Sequence, residues 1–192
     1  EDLSQVDYPR LRDGGLDGGF WAIYTRQGPR TPDGVQGARA AALARAARIL
    51  GLVAQHPGEF QLARTADDAR SIATAGKRVV YMSIENSYPL SQDLSLLQEF
   101  YGLGVRMVGL VHTTNNDFAD SSTDTHGPEW HGMSELGRRL VSKANRLGMV
   151  LDASHASDDV LDQLIALSKT PVILSHSGCK AVFPHQIGSA HV

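Results

Sequence analysis

The 192-residue sequence predicts an α/β protein built on a parallel sheet, on the strength of three observations. Short apolar runs such as 79–84 and 105–111 recur between longer segments of helical composition. Those runs lack the alternation of apolar and polar residues that a sheet with one wet face shows, so both of their faces should be covered. Five such strands separated by helices form the pattern of successive βαβ units. Two architectures satisfy all three, a doubly wound sheet and a (β/α)8 barrel.

The elements can be placed in order. Gly18–Tyr24 reads as the first strand, bounded by glycine before it and by Gly28-Pro29 and Thr31-Pro32 after it. Residues 34–55 are rich in Ala, Leu and Arg and stop before Pro57-Gly58, which predicts a long helix. Thr65 followed by Asp67 and Asp68 starts a short helix capped at Gly76, and 79–84 is the second strand. A helix over 91–103 ends at Gly104, and a strand over 105–111 leads into a polar loop from Thr113 to about Gly132. Ser134 opens a helix that Gly148 stops, 149–152 is the fourth strand, Ser157 caps a helix through Ser168, and 171–174 is the fifth strand.

Composition narrows the functions. Eighteen Lys and Arg against 21 Asp and Glu give a net charge of −3, which argues against nucleic acid or an anionic membrane as partner. The 42% hydrophobic and 20% charged residues are those of a globular protein, and at this length residues 1–192 are expected to form one domain. Cys179 is the sole cysteine, so neither an intrachain disulfide nor a zinc site built on paired cysteines is available. No apolar run approaches the roughly 18 residues of a bilayer span. The start lacks a signal-peptide pattern and an initiating Met, so Glu1 need not be the biological start, and the compartment stays open.

No glycine-rich phosphate loop follows any strand. Instead, the strand over 79–84 leads into Glu85, that over 105–111 into His112, that over 149–152 towards His155, and that over 171–174 towards His176. Each residue alone has a structural reading: Glu85 as a helix-start carboxylate, the histidines as satisfied core or loop groups. Together they change the picture. The C-terminal ends of barrel strands share one face, and a carboxylate with imidazoles there is the donor set of a hydrolytic zinc site, with ligands at about 2.0–2.2 Å and a position left for water.

The remaining polar groups suit other roles. His126 and His131 fall in the polar loop and are expected at the surface, and His56 follows a helix end where an imidazolium favours the dipole. The run 115–121 reads as turn chemistry, because its spacing does not match a calcium loop. His185 and His191 receive no role, and Cys179 is expected to be a small buried apolar group. Asp152 has two readings: with Ser154 it could orient the His155 ring, or it could face the helices and cap the one starting near Ser157.

Ser83-Ile84-Glu85-Asn86, Phe100-Tyr101-Gly102-Leu103-Gly104-Val105-Arg106, His112 with Asn115 and Ala119-Asp120-Ser121, Asn145-Arg146-Leu147-Gly148-Met149, Asp152-Ala153-Ser154-His155 and Pro171-Val172-Ile173-Leu174-Ser175-His176-Ser177 occur in this order. Together with Pro9-Arg10-Leu11-Arg12-Asp13-Gly14-Gly15 and Phe20-Trp21, they resemble the renal (membrane) dipeptidase family, peptidase family M19, over roughly residues 7–182. The resemblance implies a (β/α)8 TIM-barrel metallohydrolase that cleaves dipeptides, in many members those with a D-residue on the C-terminal side. It also implies two zinc ions sharing one glutamate, and a homodimer. It makes Glu85 the bridging carboxylate, His155 and His176 the histidines of the second zinc, and His112 the catalytic residue that contacts substrate and polarises the tetrahedral intermediate. Two close cations can share a carboxylate, acidify a water and stabilise an oxyanion as it forms.

The departures limit what carries over. The family's first strand bears a His-x-Asp pair that binds the first zinc, and no such pair precedes Asp7. Its substrate-binding Arg and later Asp find no counterpart in 186–192. The expectation is therefore a partial barrel of about five strand-helix units that holds at most one zinc, through Glu85, His155 and His176. The glycine usual after the bridging glutamate is Asn86 here, which should alter loop shape more than metal binding. A related barrel amidohydrolase acting on another amide or a lactone, and an inactive barrel fragment, are the alternatives to a zinc dipeptidase.

Overall fold

In the computed structural model, which describes residues 5–91, 93–178 and 182, helices and strands alternate along the chain. The order is α1 (Tyr8–Asp13), β1 (Gly18–Tyr24), α2 (Pro32–Gln55), β2 (Phe60–Leu62), α3 (Ala66–Thr74), β3 (Arg78–Glu85), a 3-10 turn (Tyr88–Leu90), α4 (Leu96–Leu103), β4 (Val105–Gly109), α5 (Glu135–Leu147), β5 (Val150–Asp152), α6 (Asp158–Leu167) and β6 (Val172–Ile173). Local chemistry sets most boundaries. Thr31, Ser134 and Ser157 each accept a backbone N–H of the first turn of α2, α5 and α6, while Thr65 and Asp68 form a reciprocal cap on α3. Gly104 and Gly148 end α4 and α5 in the left-handed region, at φ 115° and 70°.

All strand pairs are parallel, and five strands lie in the order β1-β3-β4-β5-β6. β1 runs beside β3 from Gly18↔Val79 to Tyr24↔Glu85. β2 takes the start of the other edge of β3, and β4 takes over from Met82, with a register shift between Met82 and Ser83. A doubly wound sheet reverses its strand order at a switch point; this one advances in a single direction, which is the winding of a barrel wall. The fold is thus a parallel α/β partial barrel.

The helical side holds the core. Val80, Met82 and Ile84 of β3, Val108 of β4 and Leu151 of β5 pack with Ala42 and Ala46 of α2, Phe100 of α4, Leu140 of α5 and Leu164 of α6, all buried. The opposite face, with Phe20, Ala22, Ser83, Glu85, Met107 and Asp152, lines a cavity that Ser175 and His176 close at the strand ends.

Several elements differ from expectation. β2 and α1 have no counterpart among the predicted elements: β2 is three residues long, and α1 is a six-residue helix whose cap Asp7 accepts the Arg10 N–H. The helix expected over 91–103 begins only at Leu96, because the 3-10 turn with its buried Tyr88, Pro89 and Leu90 comes first. The strand expected to reach residue 111 stops at Gly109: the Leu110 carbonyl accepts from the Ser87 N–H and the Asn116 side chain instead of a strand. Cys179, His185 and His191 lie outside the described residues.

The loop between β4 and α5 is ordered by its own polar groups. The buried Asp120 carboxylate accepts backbone N–H groups of Glu129, Trp130 and Gly132, and Asn116 Oδ1 accepts those of Phe118 and Ala119. That is the turn chemistry expected of 115–121. At Gly137 an added Cβ would lie 2.2 Å from the Phe118 carbonyl oxygen, so α5 meets this loop only because the residue has no side chain. Gly137→Ala is expected to destabilise the protein by about 1–3 kcal/mol through overpacking, read as a lowered Tm.

Candidate metal centre

Four strand ends place four side chains at one point. Glu85 is the last residue of β3, and His112, His155 and His176 each follow the last residue of β4, β5 and β6 by three. The Nε2 atoms of His155, His112 and His176 lie 3.2, 3.4 and 3.4 Å from the same oxygen, Glu85 Oε1. His176 Nε2 is 2.7 Å from His155 Nε2, and the His112 and His155 ring centroids are 4.0 Å apart. Tyr24, paired in register with Glu85, sets its ring 4.7 Å from that of His112. Glu85, His112 and His155 each offer one donor atom within 4.8 Å of the others.

The electrostatics follow from this crowding. The hydrogen bond from His155 holds the Glu85 carboxyl below its ordinary range; burial pushes the other way, and the three imidazoles add to the lowering. His112 is shifted down, first by burial and then by the neighbouring His155, with Glu85 opposing. A neutral imidazole is the form that ligates a metal or donates a neutral hydrogen bond. One carboxylate oxygen faced by three Nε2 atoms is a nitrogen and oxygen donor set that fits a borderline divalent cation. Two imidazole nitrogens 2.7 Å apart cannot both direct protons at each other, so at most one of these Nε2 atoms donates across that gap.

The loop between β4 and α5 fixes two of these histidines through their backbones. The Ser121 hydroxyl donates to the His112 carbonyl, and the Ser122 N–H donates to the His155 carbonyl at 2.9 Å. His155 itself adopts φ 67°, a left-handed conformation uncommon for histidine. Asn86 does the same at φ 68°, a conformation that glycine would adopt without steric cost. Its buried side chain does more than fill the position. It donates to the Thr25 carbonyl at 3.0 Å and accepts from the Tyr88 N–H and from Asn116 Nδ2 at 2.9 Å, so it ties the ends of β1 and β3 to the loop after β4.

The Asp152 expectation needs correction. Asp152 faces the cavity and neither caps α6, which Ser157 does, nor supports the His155 ring. Its oxygens accept from the Ser154 N–H, the Ser175 N–H and the Ser175 hydroxyl, and Ser175 Oγ lies 2.7 Å from His176 Nδ1. The support falls on His176, and nothing in the local sequence of Asp152 signals a partner 23 residues further on. His126 is 91% exposed and bonds Asp124, and His131 is exposed, as expected of both.

The family model of membrane dipeptidase (peptidase family M19) matches residues 1–188. The chain belongs to peptidase family M19. This M19 chain is 33% identical over 184 residues to dipeptidase tcpJ of Claviceps purpurea, covering 94% of this chain and 43% of that protein. It is 35% identical over 182 residues to dipeptidase 3 of Macaca fascicularis, covering 93% and 36%. It therefore spans less than half the length of these curated relatives. Among solved structures, the probable dipeptidase PvdM from Pseudomonas aeruginosa superposes with a TM-score of 0.90 at 34% identity, over 96% of this chain and 48% of that one. A metallo peptidase from Rhodobacter sphaeroides, liganded with a phosphinate mimic of the dipeptide L-Ala-D-Ala, superposes at 0.86 with 29% identity, over 98% and 60%. Metallopeptidase neighbours together with the donor set imply a metal. Among the described residues, no helix is long and apolar enough to cross a membrane.

Proposed function

We propose that the protein carrying this chain is a zinc-dependent dipeptidase, and that Glu85, His155 and His176 hold metal while His112 acts on the substrate. The observation behind this reading is the convergence of three imidazole Nε2 atoms on Glu85 Oε1 from four consecutive strand ends. A zinc held by Glu85, His155 and His176 would supply Lewis-acid polarisation of the scissile carbonyl and would acidify a water. The chain's own groups do the rest. Glu85, held ionised by its imidazole neighbours, provides the fixed negative charge that a dication needs. His112, whose pKa burial pushes down, would present its Nε2 to the oxygen on which charge develops. Tyr24 packs against the His112 ring and limits its rotation.

In the full-length protein, His112→Ala is expected to retain zinc and lose kcat by roughly 10²- to 10³-fold, as removal of an oxyanion donor does. Metal analysis and rate should separate. Loss of zinc with the rate would make His112 a ligand, and an unchanged rate would leave it a loop residue. Assay of a Gly-D-Ala type dipeptide beside simple amides and lactones tests the substrate class; turnover of the latter alone would replace the dipeptidase reading with an amidohydrolase one. We extend the family expectation of a homodimer to this protein, to be checked by measuring its molar mass in solution by light scattering.

A further inference from the structure

We propose that Asp152 and Ser175 form a relay that fixes the tautomer of His176, so that its Nε2 lone pair is aimed at the metal centre. This rests on the reading of His176 as a metal ligand. It follows from counting protons. Ser175 Oγ has one hydrogen and three polar neighbours: Asp152 Oδ2, His176 Nδ1 at 2.7 Å and Ser154 Oγ at 3.2 Å. The Asp152 carboxylate can only accept, and its contact with Ser175 Oγ is the tightest of the three, so the hydroxyl hydrogen goes there.

Ser175 Oγ must then accept from both of its other neighbours, which uses its two lone pairs. The proton between it and His176 belongs to Nδ1. With Nδ1 protonated in the neutral ring, Nε2 carries the lone pair, and Nε2 is the atom 3.4 Å from Glu85 Oε1 and 2.7 Å from His155 Nε2. Ser154 completes the arrangement: its Oγ accepts the backbone N–H of His176 at 3.1 Å and is free to donate to Ser175.

The geometry of Asp152 is itself fixed. It ends β5, is 7% exposed, and holds both loop segments by accepting the Ser154 N–H at 3.0 Å and the Ser175 N–H at 3.1 Å on Oδ1. Its second oxygen is thereby turned to the Ser175 hydroxyl. Metal-bound imidazoles generally donate their other N–H to a carboxylate or carbonyl; here a serine hydroxyl is interposed between ring and carboxylate. Asp152 and Ser175 are positioning residues and do not touch the substrate.

The test uses the full-length protein with 15N-labelled histidine, freed of metal and then titrated with zinc. Two-bond proton–nitrogen spectra report which ring nitrogen of His176 is protonated, with His176→Gln assigning the signal. The wild type should show the Nδ1–H form. Asp152→Asn, whose amide N–H can donate to Ser175 Oγ, should turn the hydroxyl towards Nδ1 and move the ring to the Nε2–H form, with zinc affinity lowered 10- to 100-fold. Ser175→Ala should lose the tautomer preference with a similar drop, and Ser175→Thr, which keeps the hydroxyl, should restore both. An Nε2–H ring in the wild type, or wild-type tautomer and affinity in Ser175→Ala, would overturn the relay. An Nδ1–H ring in a wild type that takes up no zinc would uphold the relay and remove the metal reading.

Discussion

On the proposed reading with two zinc ions sharing Glu85, Glu85→Ala in the full-length protein is expected to lose metal from both positions and to lower dipeptide hydrolysis by more than roughly 10³-fold, since several kcal/mol of charge stabilisation goes with the metal. His155→Ala or His176→Ala should instead lower zinc from about two per chain to about one. The asymmetry comes from position. Glu85 Oε1 is the atom on which all three imidazoles converge, whereas each histidine sits at the rim of that point. Removing the carboxylate also leaves the imidazoles crowded with no negative partner. Elemental analysis of the three variants is the measurement, and unchanged metal content in all of them would show the ligand assignment to be wrong.

The 192-residue chain prepared alone should not hydrolyse dipeptides at a measurable rate, and should associate. Among the described residues β1 pairs only with β3 and β6 only with β5, so each leaves one edge without a strand. Unpaired edges next to apolar surface recruit other chains. Phe20, stacked on Tyr81 at 5.0 Å on the cavity face, is 41% exposed. With Glu85, His155 and His176 as ligands, the isolated chain should hold at most one zinc, and a single Lewis acid forfeits much of the positioning that two supply. Size-exclusion chromatography and a dipeptide assay with excess zinc, run beside a full-length homologue, decide the matter. A comparable kcat/KM would overturn the expectation.

What could be read from the sequence was what depends on neighbours along the chain. β1 has the bounds that its flanking glycine and proline residues mark, and the caps at Thr65, Ser134 and Ser157 lie where a hydroxyl precedes a helical run, whereas α2 starts two residues before the expected 34, at Pro32 behind a Thr31 cap. The convergence of Glu85, His112, His155 and His176 was also legible, because parallel strands of one barrel wall present their C-terminal ends together. β2 was not, since three residues are too few to show a period. Nor was the true partner of Asp152, because the choice between His155, α6 and Ser175 is made by how β5 and β6 sit side by side and not by spacing. The role of Asn86 needed its φ of 68° and three contacts reaching Thr25, Tyr88 and Asn116.

The one-directional order of the sheet also bears on how the chain is made. From β3 onward, each described strand docks against one already emerged from the ribosome, whereas β1 and β2 wait for β3, so from that point the sheet can grow unit by unit during synthesis. Contacts of short sequence separation favour rapid assembly. The donor groups are laid down in the same order, Glu85 first and then His112, His155 and His176, each added beside its predecessor. Of these four groups, a cation meeting the nascent chain would thus encounter the carboxylate before the three imidazoles, and its grip would tighten with each unit completed.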